Sequence, residues 1–181
     1  MIVINKNVRY IICFLFSCII LLYLYTFLHE GGHALVAIMC GGKICKFVLG
    51  LNAHVETTGA SFTLFSEALF ISMGVLLPVI FLIIVLAIYK PQIEYTFYHI
   101  FYGILSLSIT SSLLAWVIIP FIALFTLPPT GDDVTRFLDI TDLYPLTVLF
   151  TAVLIIVALV FLIYKKGLIG KLKEIIYELP Q

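Results

Sequence analysis

The chain is predicted to be an all-α, multi-pass membrane protein of about four transmembrane helices, on three observations. Of its 181 residues, 63% are hydrophobic and only 11% charged. Its mean hydropathy of +1.22 lies far above that of water-soluble domains. Its uncharged stretches run for ~20 residues or more, enough to carry a helix across ~30 Å of hydrocarbon.

The first span is read at 10–40, after Lys6 and Arg9. A basic start before an apolar run looks like a secretory signal, but this run is too long for one and has no convincing small-residue cleavage site, so it is expected to be retained. The second and third spans are read at 66–89 and 95–119, with a short turn between them. Tyr95, Tyr98, His99 and Tyr102 read as an interfacial aromatic belt, and the hydroxyls of Ser106 to Ser112 as small groups that let helices approach closely. The 120–143 connection carries Pro120, Pro128, Pro129 and Gly131, which disrupt regular helix, and the fourth span is read at 144–164. The tail from Lys165 to Glu178, basic and then apolar, is expected to lie on the membrane surface. Residues 1–181 are read as a single membrane-embedded domain.

Ten basic and ten acidic residues leave no basic surface for nucleic acid. Four spans would place Lys6, Arg9, Lys90, Lys165, Lys166, Lys171 and Lys173 on one side, and Lys43, Lys46 and Arg136 on the other. Positive-inside bias then favours cytoplasmic termini in a multi-pass protein of the cell membrane. Cys13, Cys18, Cys40 and Cys45 are too few for a disulfide framework; Cys40 and Cys45 with His54 are a weak alternative metal set.

Within the first span lies His29-Glu30-Gly31-Gly32-His33. Imidazoles at i and i+4 share one helix face, where both can bind one Zn²⁺, and the intervening glutamate can act as general base on water at the metal. If 10–40 is one helix with its midpoint at Tyr25, His29 lies ~6 Å and His33 ~12 Å beyond the midplane. Ionisable groups at such depth mark functional sites by default. Gly31 and Gly32 each weaken a helix by about 1 kcal/mol relative to Ala, which calls for a close approach by water, substrate or another helix.

Zinc bound this way needs a third protein ligand and an open fourth position. Counting spans returns the 120–143 connection to the same side, and it holds Thr130-Gly131-Asp132-Asp133-Val134-Thr135-Arg136. Either Asp132 or Asp133 can ligate, and either can cap a short helix starting near 133. Arg136 is placed to pair with an aspartate or to contact a substrate carbonyl, and His54 to hydrogen-bond an oxyanion.

These residues resemble the site-2 protease family of intramembrane zinc metalloproteases. Its pattern H-E-x-G-H-x-x-x-A-x-x-x-G is matched by His29, Glu30, Gly32, His33, Ala37 and Gly41. The resemblance runs from about Phe14 to Leu138 and implies a membrane-associated β-hairpin after the first helix. The stretch 43–60, with Val48, Gly50, Val55, Thr57 and Gly59, has the composition for one. Ser72 to Pro78 is a looser counterpart of the family's Gly–Pro helix. Aligning the arginine of the family's Asp-Gly motif with Arg136 puts the third ligand at Asp133. Val134 stands where the family has glycine, and no asparagine follows Asn52 to match the family's substrate-positioning one.

The resemblance implies a minimal catalytic core without PDZ or CBS domains. It would bind one Zn²⁺ through His29, His33 and Asp133 and cut transmembrane protein or peptide substrates in the lipid bilayer, with Glu30 as base. It also implies a cytosol-facing site, opposite to the side that the charges favour. Two other readings use the same residues: a non-catalytic scaffold or binding protein retaining the fold, and a metal-transport or metal-sensing protein.

Overall fold

The computed structural model describes residues 6–177, with side chains from Val8 onward. Its order is α1 (Lys6–Met39), β1 (Lys43–Val48), β2 (His54–Thr58), α2 (Leu64–Ile88), α3 (Thr96–Ser112), α4 (Ala115–Ala123), α5 (Asp133–Thr141), α6 (Pro145–Lys165) and α7 (Leu168–Tyr177). Four stretches are long and apolar enough to cross a membrane: Val8–Met39, Leu64–Ile88, Thr96–Ala123 and Pro145–Lys165. The molecule is mainly helical, with a two-stranded antiparallel hairpin after the first helix, as expected.

α1 stops at a pair of glycines. Gly41 adopts φ +83°, and the N–H groups of Gly41 and Gly42 donate to Ile38 O at 3.0 Å and Ala37 O at 2.9 Å. This closes the helix in a Schellman motif, which satisfies carbonyls that would otherwise be orphaned in an apolar setting. The chain then turns back as β1 and β2, pairing Lys43 with Thr58 and Val48 with His54 and bulging near Cys45. The hairpin lies along α1, with the Phe27 and Phe47 rings 6.0 Å apart.

Thr63 and Ser66 form a capping box that starts α2. Its buried stripe, Ile71, Gly74, Val75, Pro78, Val79, Leu82 and Leu86, recurs at three- and four-residue steps and faces α1, α3 and α5. The core joins this stripe to Leu21, Leu105, Ile109, Leu113, Leu159 and Leu168. At Gly32 the backbones of α1 and α2 approach closely: a Cβ there would lie 2.1 Å from the Met73 carbonyl oxygen. That accounts for one of the two motif glycines; Gly31 has only Leu77 Cδ2, at 4.0 Å, near its missing side chain.

Three features add detail to the expected layout. The third span is not one helix: α3 and α4 are separated by Leu113 and Leu114, where Leu114 N–H bonds Ser111 O at 3.0 Å. Ser111 and Ser112 direct their hydroxyls to the carbonyls of Ser108 and Ile109, competing with the helical ladder. Pro120 adds no N–H for the Trp116 carbonyl.

The aromatic belt is also largely turned inward. His99 is buried between the Tyr89 hydroxyl, 2.7 Å from Nδ1, and the Ile93 carbonyl, and Tyr98 stacks on Tyr89. Only Tyr95 stands well exposed. The tail is docked as well: α7 buries Leu168 and sets Leu172 against Gly103 of α3, while Lys171 pairs with Glu174 at 2.7 Å on its polar side. Glu178 lies outside the described residues.

Candidate metal centre

Helical spacing puts Tyr25, His29 and His33 on one stripe of α1. The two imidazoles meet edge to face, with their Nε2 atoms 3.3 Å apart. From α5, Asp133 brings Oδ2 to 3.4 Å from His29 Nε2 and 3.3 Å from His33 Nε2. In a tetrahedral zinc site with bonds of ~2.0–2.1 Å, ligand atoms stand ~3.3–3.4 Å apart. The three donors therefore have the spacing and the chemistry to hold one such ion, and they are the one such cluster found among the described residues.

The surroundings fix these donors. His33 Nδ1 donates to the Phe70 carbonyl at 2.8 Å, which leaves Nε2 with its lone pair directed at the cluster. Gly74 makes room for both rings, because a Cβ there would sit 2.5 Å from His33 Nε2 and 2.9 Å from His29 Cε1. His29 Nδ1 is buried with no partner among the described residues. Burial pushes the Asp133 carboxyl up, but the His29 and His33 rings, when protonated, outweigh it by hydrogen bonds and charge and hold the group below the usual carboxylate range.

Asp132 does a different job. Its carboxylate caps α5, accepting from Thr135 N at 2.9 Å and Thr135 Oγ1 at 2.8 Å. The Thr135 hydroxyl also lies 2.7 Å from the Pro129 carbonyl, so cap and proline turn together set where Asp133 begins the helix. Buried Val134, Thr135 and Leu138 seat α5 among its neighbours, chiefly α2 and α4.

Glu30 is buried, 8% exposed, and within electrostatic range of His33 and Tyr25. His33 is similarly enclosed, whereas the His29 and Asp133 side chains keep 28% and 26% exposure. One side of the cluster is thus open to an incoming molecule. His54 is not part of it: Nδ1 bonds Asn52 O at 2.8 Å and Nε2 lies 3.4 Å from Glu56 on the same hairpin. Arg136 is exposed and makes no ion pair among the described residues, so of its two expected roles the pairing with an aspartate is not seen. Cys40 and Cys45 are free and do not gather with His54.

Three contributors escaped the sequence reading. Phe70 acts through its carbonyl, which no residue type announces. Gly74 lay within the loosely matched 72–78 stretch, and Tyr25 could have been found at i−4 from His29.

A bundle of apolar helices that gathers two imidazoles and a carboxylate beside a buried glutamate defines an integral membrane protein with a candidate metal centre. A family model described as peptidase M50B-like matches residues 2–138, and the chain belongs to the peptidase M50B-like family. The match runs through α1, the hairpin, α2, α3 and α4 to Leu138 in α5, taking in His29, Glu30, His33 and Asp133. This agrees with the site-2 protease resemblance and makes the protein a member of a membrane peptidase family. No curated protein and no solved structure matches the chain.

Proposed function

We propose that the protein is an intramembrane zinc endopeptidase that hydrolyses peptide bonds of membrane-embedded substrates. The observation that carries this reading is the His29–His33–Asp133 triangle at tetrahedral spacing next to buried Glu30. His29, His33 and Asp133 would hold one zinc ion. When bound, the ion supplies Lewis acidity to the attacking water and to the scissile carbonyl.

The chain's own residues do the rest. Glu30 takes a proton from the water as its oxygen bonds to the carbonyl carbon, and delivers that proton to the amide nitrogen as the C–N bond breaks. The Phe70 carbonyl keeps His33 oriented, and the Asp132–Thr135 cap keeps Asp133 in register. A transmembrane substrate must unwind locally, because a helix hides its carbonyls. The β1–β2 hairpin alongside α1 offers strand edges on which an extended segment can pair.

The test is zinc analysis of the purified protein and its Glu30→Gln variant, with cleavage of a single-span model peptide in micelles followed by mass spectrometry. Zinc retained with cleavage lost in the variant is the expected result. Cleavage by Glu30→Gln at the wild-type rate overturns the reading.

A further inference from the structure

Tyr25 lies one helical turn before His29, and their ring centroids are 5.9 Å apart. The phenol is half-buried, and its hydroxyl end lies beside Ser112 at the end of α3, within electrostatic range of both Asp133 and Glu30. It therefore stands in the one neighbourhood where the ligand carboxylate, the candidate base and the break in the third span meet. Nothing in the mechanism above uses it.

Hydrogen bonding decides which way the phenol proton points. A hydroxyl has one proton to give. Ser112 directs its own to the Ile109 carbonyl at 2.8 Å, so towards Tyr25 it can only accept. The Tyr25 O–H thus has its proton to give, and the neighbouring Ser112 oxygen is at most a weak, exchangeable acceptor. A substrate oxygen that gains negative charge is a far stronger acceptor than a serine hydroxyl, particularly in a low-dielectric site. His54 is engaged on the hairpin, and Arg136 is exposed.

We propose that Tyr25 is the oxyanion donor of this site, its phenol O–H turning to hydrogen-bond the scissile carbonyl oxygen as water adds to the carbonyl carbon. The proton stays on the phenol throughout, so the water proton still travels through Glu30. This rests on the peptidase reading of the preceding section.

The test is Tyr25→Phe, which keeps the ring against His29 and removes only the hydroxyl. Zinc content should be unchanged. Turnover of the single-span peptide should fall ~10²–10³-fold with KM little altered, as for loss of one preorganised oxyanion donor. A zinc-loaded sample should also lose affinity for an apolar peptide phosphonate, which presents a tetrahedral anion, by at least about tenfold, while its affinity for the matching uncleaved peptide stays constant. A merely structural Tyr25 predicts the reverse: Phe retains turnover and phosphonate affinity, and only Tyr25→Ala loses zinc. Equal phosphonate affinity in Tyr25→Phe and wild type overturns the proposal. If Glu30→Gln is inactive while Tyr25→Phe is fully active, Tyr25 alone is excluded; if Glu30→Gln cleaves normally, the peptidase reading fails and this proposal with it.

Discussion

Gly74 of α2 and His33 of α1 are in backbone-to-ring contact: a Cβ on the glycine would lie 2.5 Å from His33 Nε2. The imidazole cannot easily retreat, because its other nitrogen is tied to the Phe70 carbonyl at 2.8 Å. Gly74→Ala should therefore disturb the donor triangle and weaken zinc binding by about 10–100-fold, the range for loss of supporting contacts around a metal. Gly31→Ala is the control, with its nearest neighbour at 4.0 Å. It should keep zinc and raise thermal stability, since alanine is favoured over glycine in a helix by up to about 1 kcal/mol. Metal analysis and a melting curve on both variants decide it.

The adjacent aspartates should separate cleanly. Asp133→Asn removes the anionic donor from the triangle and should release zinc during purification. Asp132→Asn keeps a good helix cap and should be almost silent, whereas Asp132→Ala should cost about 0.5–2 kcal/mol of stability by losing the bonds from Thr135. Zinc loss from Asp132→Asn but not from Asp133→Asn would reverse the assignment.

At the opposite end of the bundle, Tyr89 and His99 form a buried pair that should report on stability alone. Tyr89→Phe leaves His99 Nδ1 without its 2.7 Å partner and should cost about 1–3 kcal/mol with no change in zinc content. Burial first, then the neighbouring Tyr98 and Tyr102, pushes the Tyr89 phenol up to about 12. A folded value above the unfolded one means that its contribution is complete below about pH 10 and is lost as pH rises towards 12. Alkaline unfolding of the wild type should thus show a component in that window that Tyr89→Phe lacks.

Much of this layout is written in local chemistry. Apolar length alone places α1, α2 and α6 within a few residues, because a membrane helix needs little beyond an uninterrupted apolar run. The juxtaposition of Asp133 with His29 and His33 was accessible by counting which side of the bilayer each connection returns to, and the splitting of roles between Asp132 and Asp133 by knowing that one aspartate suffices as a cap. Two features had no such signature. The break at Leu113–Leu114 occurs between two leucines, ordinary helix formers, and depends on where the Ser111 and Ser112 hydroxyls turn. The inward facing of Tyr98 and His99 depends on how α3 is rotated against α2, which amphipathic aromatics at a helix start leave undetermined.

The hairpin supplies the last prediction. It is held to α1 by the Phe27–Phe47 contact at 6.0 Å and by the Gly50 N–H, which reaches Thr26 Oγ1 at 3.4 Å. The second bond is long, so the ring pair should dominate, with aromatic contacts of this kind adding about 0.5–1.5 kcal/mol. Phe47→Ala should let the hairpin move away from α1 while leaving the metal donors, which belong to α1 and α5, untouched. If an extended substrate pairs with the hairpin, the variant should keep its zinc and most of its kcat but show a KM for the single-span peptide raised several-fold. An unchanged KM would mean that the strand edge does not bind the substrate. A fall in kcat at constant KM would instead place the hairpin among the groups that act on the transition state.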